Sequence, residues 1–167
     1  MFFWFIATSI WSVWFVFRDP KFDYRLLAIA ALTPDLVDGL LQAFGLARGA
    51  MHSVVTSIAV LFAIMIATAG RRPSRQRLLA IPIGLFMHLI YDGAFSATKT
   101  FWWPLTGKNL SEESLPSVER GIVNLPLELL GIVACIIAWR YFGLPDKTRR
   151  TKFLKTGSLS AKSKSLG

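Results

Sequence analysis

Cysteine is nearly missing from this chain: Cys135 stands alone, inside an apolar run. One thiol makes no intramolecular disulfide and no cysteine-based zinc site, so any metal has to be held by other donors. Its surroundings mark it as a small packing residue. Charge is scarce as well, at 17% of residues, where soluble domains carry about 25%. Acidic side chains are the rarer sign, 10 against 19 basic, and histidine occurs only twice. No internal repeat or second folded domain is visible. What fills the sequence instead is hydrophobic residue, 53% of the total, gathered in long runs. This pattern excludes an ordinary soluble domain and indicates an integral membrane protein.

Five apolar segments can be drawn: residues 2 to 17, 26 to 45, 53 to 69, 78 to 95 and 121 to 142. Each is close to the ~20 residues that a helix needs to cross the hydrocarbon core. Helices satisfy their own backbone in lipid, so the expected fold is all-α: a polytopic helical membrane protein of about five transmembrane segments. The first segment has no basic residue before it and no small-residue cleavage site after it, which reads as an uncleaved anchor rather than a signal peptide. The second contains "LTPDLVDGL". Pro34 removes a backbone donor, and "TPD" also reads as a fresh helix start, so this segment is expected to be broken near Pro34. A re-entrant segment is the alternative there.

The net charge of +9 is unevenly placed. Residues 144 to 167 hold seven Lys or Arg and one Asp, and residues 1 to 143 hold twelve against nine. The division suggests a helical membrane domain over 1–143 and a basic, disordered cytoplasmic tail over 144–167 that faces anionic lipid headgroups. Phe153 is the single aromatic among the tail lysines, too few for a base-stacking platform, so no nucleic acid partner is expected. Basic residues also crowd "RDPKFDYR" and "RRPSRQR", whereas residues 46 to 52 carry Arg48 alone and residues 96 to 120 are balanced. The positive-inside rule with five spans then puts the amino terminus outside and the carboxyl terminus in the cytoplasm.

Against this background a few polar residues stand out. At 1.5 Å of rise per residue, Asp38, His88 and Glu128 fall roughly 10 Å below the outer boundary, and Asp92 about 5 Å below it. His52 sits at the boundary and Asp35 is deepest. Several segments thus bring ionisable groups to one shallow layer, where unpaired burial is expensive and such residues mark sites by default. His88 and Asp92 are four apart, Asp35 and Asp38 three apart, so each pair shares a helix face. Imidazole with carboxylate suits zinc, or manganese less selectively. His52, His88 and Asp92 supply the three protein ligands of a catalytic zinc. Asp35 and Asp38 complete a second metal, orient a histidine or act as general base. Glu128 reads equally well as a plain structural acid, paired with Asn124 or a loop lysine.

The stretches "PDLVD", "RGAMHS" and "HLIYDGAFSATKTFWWPL" together resemble the YdjM-like group of small inner-membrane proteins, described as membrane-bound metal-dependent hydrolases. That group shows an acidic P-D-x-D-type stretch, then H-R-G-x-T-H-S, then H-x-x-x-D followed by a W-P pair. Asp35 and Asp38 match the first, Arg48, Gly49, His52 and Ser53 the second, His88 and Asp92 the third, and Trp103 with Pro104 the pair. The resemblance covers residues 33 to 105. Ala47 stands where the group often has histidine and Met51 where it often has threonine, which implies one metal here rather than two.

Residues and resemblance together suggest a metal-dependent hydrolase of the cell (inner) membrane. Its site at the outer membrane–water boundary would act on a lipid or lipid-linked phosphoester. A divalent cation, zinc first and Mn2+ second, would lie among His52, His88, Asp92, Asp35 and Asp38. Asp35 or Asp38 would serve as general base and Arg48 would hold an anionic substrate group. The rival is a non-enzymatic membrane transporter or assembly protein whose buried polar groups hold helices together.

Overall fold

A computed structural model describes residues 1–19, 21–44, 49–107 and 119–161, and the described residues are helical, with no strand among them. Among the described residues eight α-helices follow in chain order: α1 Phe3–Phe17, α2 Tyr24–Ala43, α3 Val54–Ala67, α4 Arg72–Leu78, α5 Ala80–Asp92, α6 Thr98–Phe101, α7 Asn124–Tyr141 and α8 Lys147–Thr156. Short 3-10 turns, Ala50–His52, Ala94–Ser96 and Gly121–Val123, lead into or out of them. The apolar segments read from the sequence are thus each helical.

Local chemistry sets the helix ends. Asp23 caps α2 by accepting from the amides of Arg25 and Leu26, and Ser53 caps α3 by accepting from Val55. Glu128 on α7 accepts from the first three free amides of α1, those of Phe2 and Phe3 at 3.0 Å and Trp4 at 3.3 Å. It therefore caps a neighbouring helix. This leaves it with a structural task.

Two glycines fix the packing. α2 lies against α5, and a Cβ on Gly84 would come within 2.6 Å of the Leu27 carbonyl oxygen and 2.7 Å of Ala30 Cβ. α1 lies against α7, where a Cβ on Gly131 would come within 2.3 Å of Trp4 N. Such small-residue contacts let backbones approach in the absence of a hydrophobic drive between helices in lipid. Large apolar side chains point outward instead: Phe62 and Ile66 on α3 and Leu125, Leu129, Ile136 and Ile137 on α7 are exposed. The buried apolar core, including Val13, Trp14, Tyr24, Leu27, Phe142 and Leu159, gathers where the carboxyl ends of α1 and α7 meet the amino end of α2.

Three expectations change. α2 is not broken near Pro34: the helix runs unbroken from Tyr24 to Ala43 with Pro34 buried inside it. A proline strains the turn before it, but packing on α5 holds this one in register. The segment after residue 143 is not disordered through its described part. Asp146 accepts from Arg149 N to start α8, Tyr24 N donates to Gly157 O at 2.9 Å, and Leu159 is buried; polar composition hid these anchors. The count of five spans is not reached by helix length. Among the described residues two helical stretches, Tyr24–Ala43 and Gly121–Tyr141, are long and apolar enough to cross a membrane; α1, α3 and α5 are shorter, at 15, 14 and 13 residues.

Candidate metal centre

One end of the bundle collects the carboxyl half of α2, the 3-10 turn Ala50–His52 and the carboxyl end of α5, and these three elements carry the site. Gly49 opens the turn at φ 108°, a left-handed value that disfavours other residues. Its amide donates to Asp38 Oδ2 at 3.0 Å. Ser53 ends the turn by capping α3 while its hydroxyl donates to the carbonyl of Trp103. Gly49, Ser53 and Trp103, quoted earlier as motif residues, are thus the brackets that hold His52 in place.

His52 and His88 are fully buried and their Nε2 atoms face each other at 3.2 Å. Each Nδ1 is engaged on the far side: that of His52 lies 2.7 Å from Asp38 Oδ2, and that of His88 lies 2.7 Å from the Ala31 carbonyl oxygen. A carbonyl only accepts, so His88 Nδ1 carries the proton, and a carboxylate acceptor sets the same tautomer in neutral His52. Both Nε2 lone pairs then point into one spot. Asp35 Oδ1 completes a triangle, 3.5 Å from each Nε2. The point equidistant from the three atoms lies about 2.0 Å from each, which is the length of a zinc bond to nitrogen or oxygen. Asp35, His52 and His88 therefore form a group able to hold a metal ion.

Asp92 is fully buried beside this triangle. Its Oδ2 lies 3.9 Å from His52 Nε2 and has no hydrogen-bond partner among the described residues. An unsatisfied buried carboxylate oxygen is costly, and a cation in the triangle would meet it. The other oxygen, Oδ1, is 3.0 Å from Arg120 Nη2, which also donates to the Asp92 carbonyl at 2.7 Å. Asp38 faces His52 Nδ1 and the Gly49 amide, and so orients an imidazole from behind, in the manner typical of histidine ligands. The ring of Phe5 covers His88, with centroids 4.1 Å apart. Burial by itself depresses the His52 pKa, but hydrogen bonds with Asp35 and Asp38 outweigh it and hold the imidazole at about 9.

The geometry brings together five of the six residues chosen from the sequence: Asp35, Asp38, His52, His88 and Asp92. Arg48 and Ala47 lie outside the described residues. Sequence reasoning missed Arg120, the Ala31 carbonyl and Phe5. A balanced loop gave no signal for the arginine, and a backbone carbonyl carries none.

Asp35 is the one member of the triangle with solvent access, its side chain 35% exposed. It borders a cleft of about 350 Å³ shared with Met1, Phe2, Leu32 and Leu36.

Apolar helices enclosing a buried histidine–carboxylate group define a helical membrane protein with a candidate metal centre. The sequence matches the family of YdjM inner membrane proteins over residues 2–149, and the chain belongs to that family. No curated protein and no solved structure matches it.

Proposed function

We propose that this chain is a membrane-embedded, metal-dependent hydrolase that uses one divalent cation, zinc first and manganese second. The observation that carries the reading is the pair of Nε2 atoms at 3.2 Å with both Nδ1 atoms already engaged. Two lone pairs facing each other in a buried site repel unless a cation or proton lies between them. His52, His88 and Asp35 would hold the cation and the orphaned Oδ2 of Asp92 would close the set. Bound there, a divalent cation acts as a Lewis acid and lowers the pKa of water.

The residues have separate tasks in this reading. Asp38 holds His52 in its tautomer. Asp35, at the mouth of the cleft, is the carboxylate placed to touch both ligand and substrate, and is the preferred general base. Arg120 neutralises Asp92, and Arg48 remains the candidate for an anionic substrate group. Two buried carboxylates, Asp38 and Asp92, and the partly exposed Asp35 against Arg120 leave an excess of negative charge that a cation offsets. The substrate class suggested by a cleft among apolar side chains is a lipid or lipid-linked phosphoester.

The same reading takes all five apolar segments as spans, with the amino terminus outside and the carboxyl terminus cytoplasmic. Its support is the alternation of ends: the amino ends of α1 and α3 and the carboxyl ends of α2 and α5 all meet at the site. The helices with fewer than 18 residues would be completed by their flanking turns.

The test is elemental analysis of the detergent-purified protein beside His88→Ala. About one equivalent of zinc or manganese in the native chain, lost in the variant, is expected. A metal-free native chain that also fails to take up added zinc would refute the hydrolase. It would favour a non-enzymatic membrane protein in which the ion pairs at Asp38 and Asp92 tie helices together.

A further inference from the structure

A second cleft opens at the other end of the bundle. It measures about 360 Å³ and is lined by Lys21, Arg77, Lys152, Lys155, Thr156 and Ser158. Asp23, at this end of α2, precedes Asp38 by fifteen residues, about 22 Å along the helix. The four cations come from three separate parts of the chain: the turn before α2, α4 and the tail helix α8. They gather because the tail is fastened by something other than their charge. Tyr24 N donates to Gly157 O at 2.9 Å, Arg25 Nη1 donates to the Leu154 carbonyl, and Leu159 is buried. Gly157, at φ 71°, is obligatory here, since a Cβ on it would stand 1.7 Å from Asp23 Oδ1.

The acids nearby are already engaged. Asp23 pairs with Arg25 at 2.8 Å and with Arg77 at 3.3 Å. Asp19 accepts from Gln76 Nε2 at 2.8 Å and from the Lys21 amide at 2.8 Å. Asp23 offsets part of the Arg77 charge but shares itself with Arg25, which leaves Lys21, Lys152 and Lys155 to make the cleft positive. Ammonium and guanidinium donors converging on a space of this size suit a phosphate group. Just before Arg18 and Lys21, Phe15, Val16 and Phe17 are exposed apolar side chains, which puts the cleft at the level of lipid headgroups.

We propose that Lys21, Arg77, Lys152 and Lys155 form a binding site for the phosphate of an anionic phospholipid headgroup in the leaflet opposite the metal centre. The proposal rests on the membrane placement and is independent of hydrolysis. It differs from a diffuse attraction of a basic tail because only certain cations line the cleft.

The full-length, detergent-purified protein, kept in EDTA so that the His52–His88 site stays free of metal, is titrated with dioctanoyl phosphatidylglycerol, dioctanoyl phosphatidylcholine and inorganic phosphate. Phosphatidylglycerol should bind and phosphatidylcholine should not. Lys152→Gln with Lys155→Gln should weaken phosphatidylglycerol about tenfold, and Lys147→Gln with Arg150→Gln, which removes the same charge outside the cleft, less than about twofold. If the first pair fails to fold, Lys152→Gln alone, expected to weaken binding about threefold, is compared with Lys147→Gln. Equal weakening by cleft and control variants, or no binding of phosphatidylglycerol, would overturn the site. Binding of inorganic phosphate without phosphatidylglycerol would overturn the lipid headgroup as its source.

Discussion

Asp38 Oδ2 lies 2.7 Å from Nδ1 of His52, and the two residues come from different elements, the carboxyl half of α2 and the turn before α3. The contact ties the orientation of a candidate metal ligand to a carboxylate that does not itself face the cation position. Removing it should weaken metal binding without abolishing it. Asp38→Asn is expected to reduce zinc affinity about 10- to 100-fold, the range usual for such supporting partners. Competition titration against a chromogenic chelator measures this. His52→Ala, by contrast, should remove binding altogether, and equal behaviour of the two variants would place Asp38 among the direct ligands.

Proton release gives a second test. With the His52 pKa raised to about 9, the imidazole of the metal-free protein is protonated at pH 7.5, and a ligand must lose that proton. Zinc affinity should therefore rise with pH up to about 9 and level off above it. Calorimetry at pH 7.5 in buffers of different ionisation enthalpy should show close to one proton released. The sign reverses for metal-free stability. A raised pKa stabilises the fold fully below the unfolded value of 6.5, and that contribution fades as pH rises through about 9. Metal-free protein should melt lower at pH 9.5 than at pH 6.5, and metal loading should narrow the gap.

Gly84 offers a test of the link between packing and site. It lies one helical turn before His88, on the face of α5 that meets α2. Gly84→Ala forces a methyl against Leu27 O and Ala30 Cβ, an overpacking expected to lower stability by about 1–3 kcal/mol. Because the same displacement moves His88 away from α2, zinc affinity should drop with it. Thermal unfolding in detergent and metal titration, run side by side, check the coupling. A destabilised variant with native affinity would separate the two.

Topology can be read with an impermeant thiol reagent on intact cells. In a Cys135→Ala background, Thr98→Cys at the metal-centre end should be labelled, and Ser160→Cys behind α8 should not. Both residues are exposed, so accessibility on the molecule itself does not bias the comparison. Labelling of Ser160→Cys alone would invert the orientation.

The helices and the main site residues were legible for one shared reason: a polar group in an apolar helix is expensive, so each one present is informative. Asp35, His52 and His88 stood out against long apolar runs, and the structure brings them within bonding distance of a common point. Glu128 stood out equally, yet it caps α1 through Phe2, Phe3 and Trp4; rarity marks a task without saying which. The tail was misread because its composition is polar, while its order comes from Asp146, Gly157 and Leu159, three residues with no periodic signature. Pro34 pointed to a break in the second segment because the local rule for proline holds only until tertiary packing decides, and α2 runs through it.

That proline has a wider effect. It offers no N–H to its own helix and strains the preceding turn, and within that turn the Ala31 carbonyl accepts His88 Nδ1–H at 2.7 Å. A flaw in one helix thus becomes the docking point for a side chain of another. An N–H restored at position 34 would bond to the Ala30 carbonyl, one residue earlier, and by tightening the turn would draw the Ala31 oxygen toward the Asp35 amide and away from the His88 ring. Which nitrogen of His88 looks toward Asp35 is then governed from the interior of α2, by a residue with no polar side-chain atom of its own.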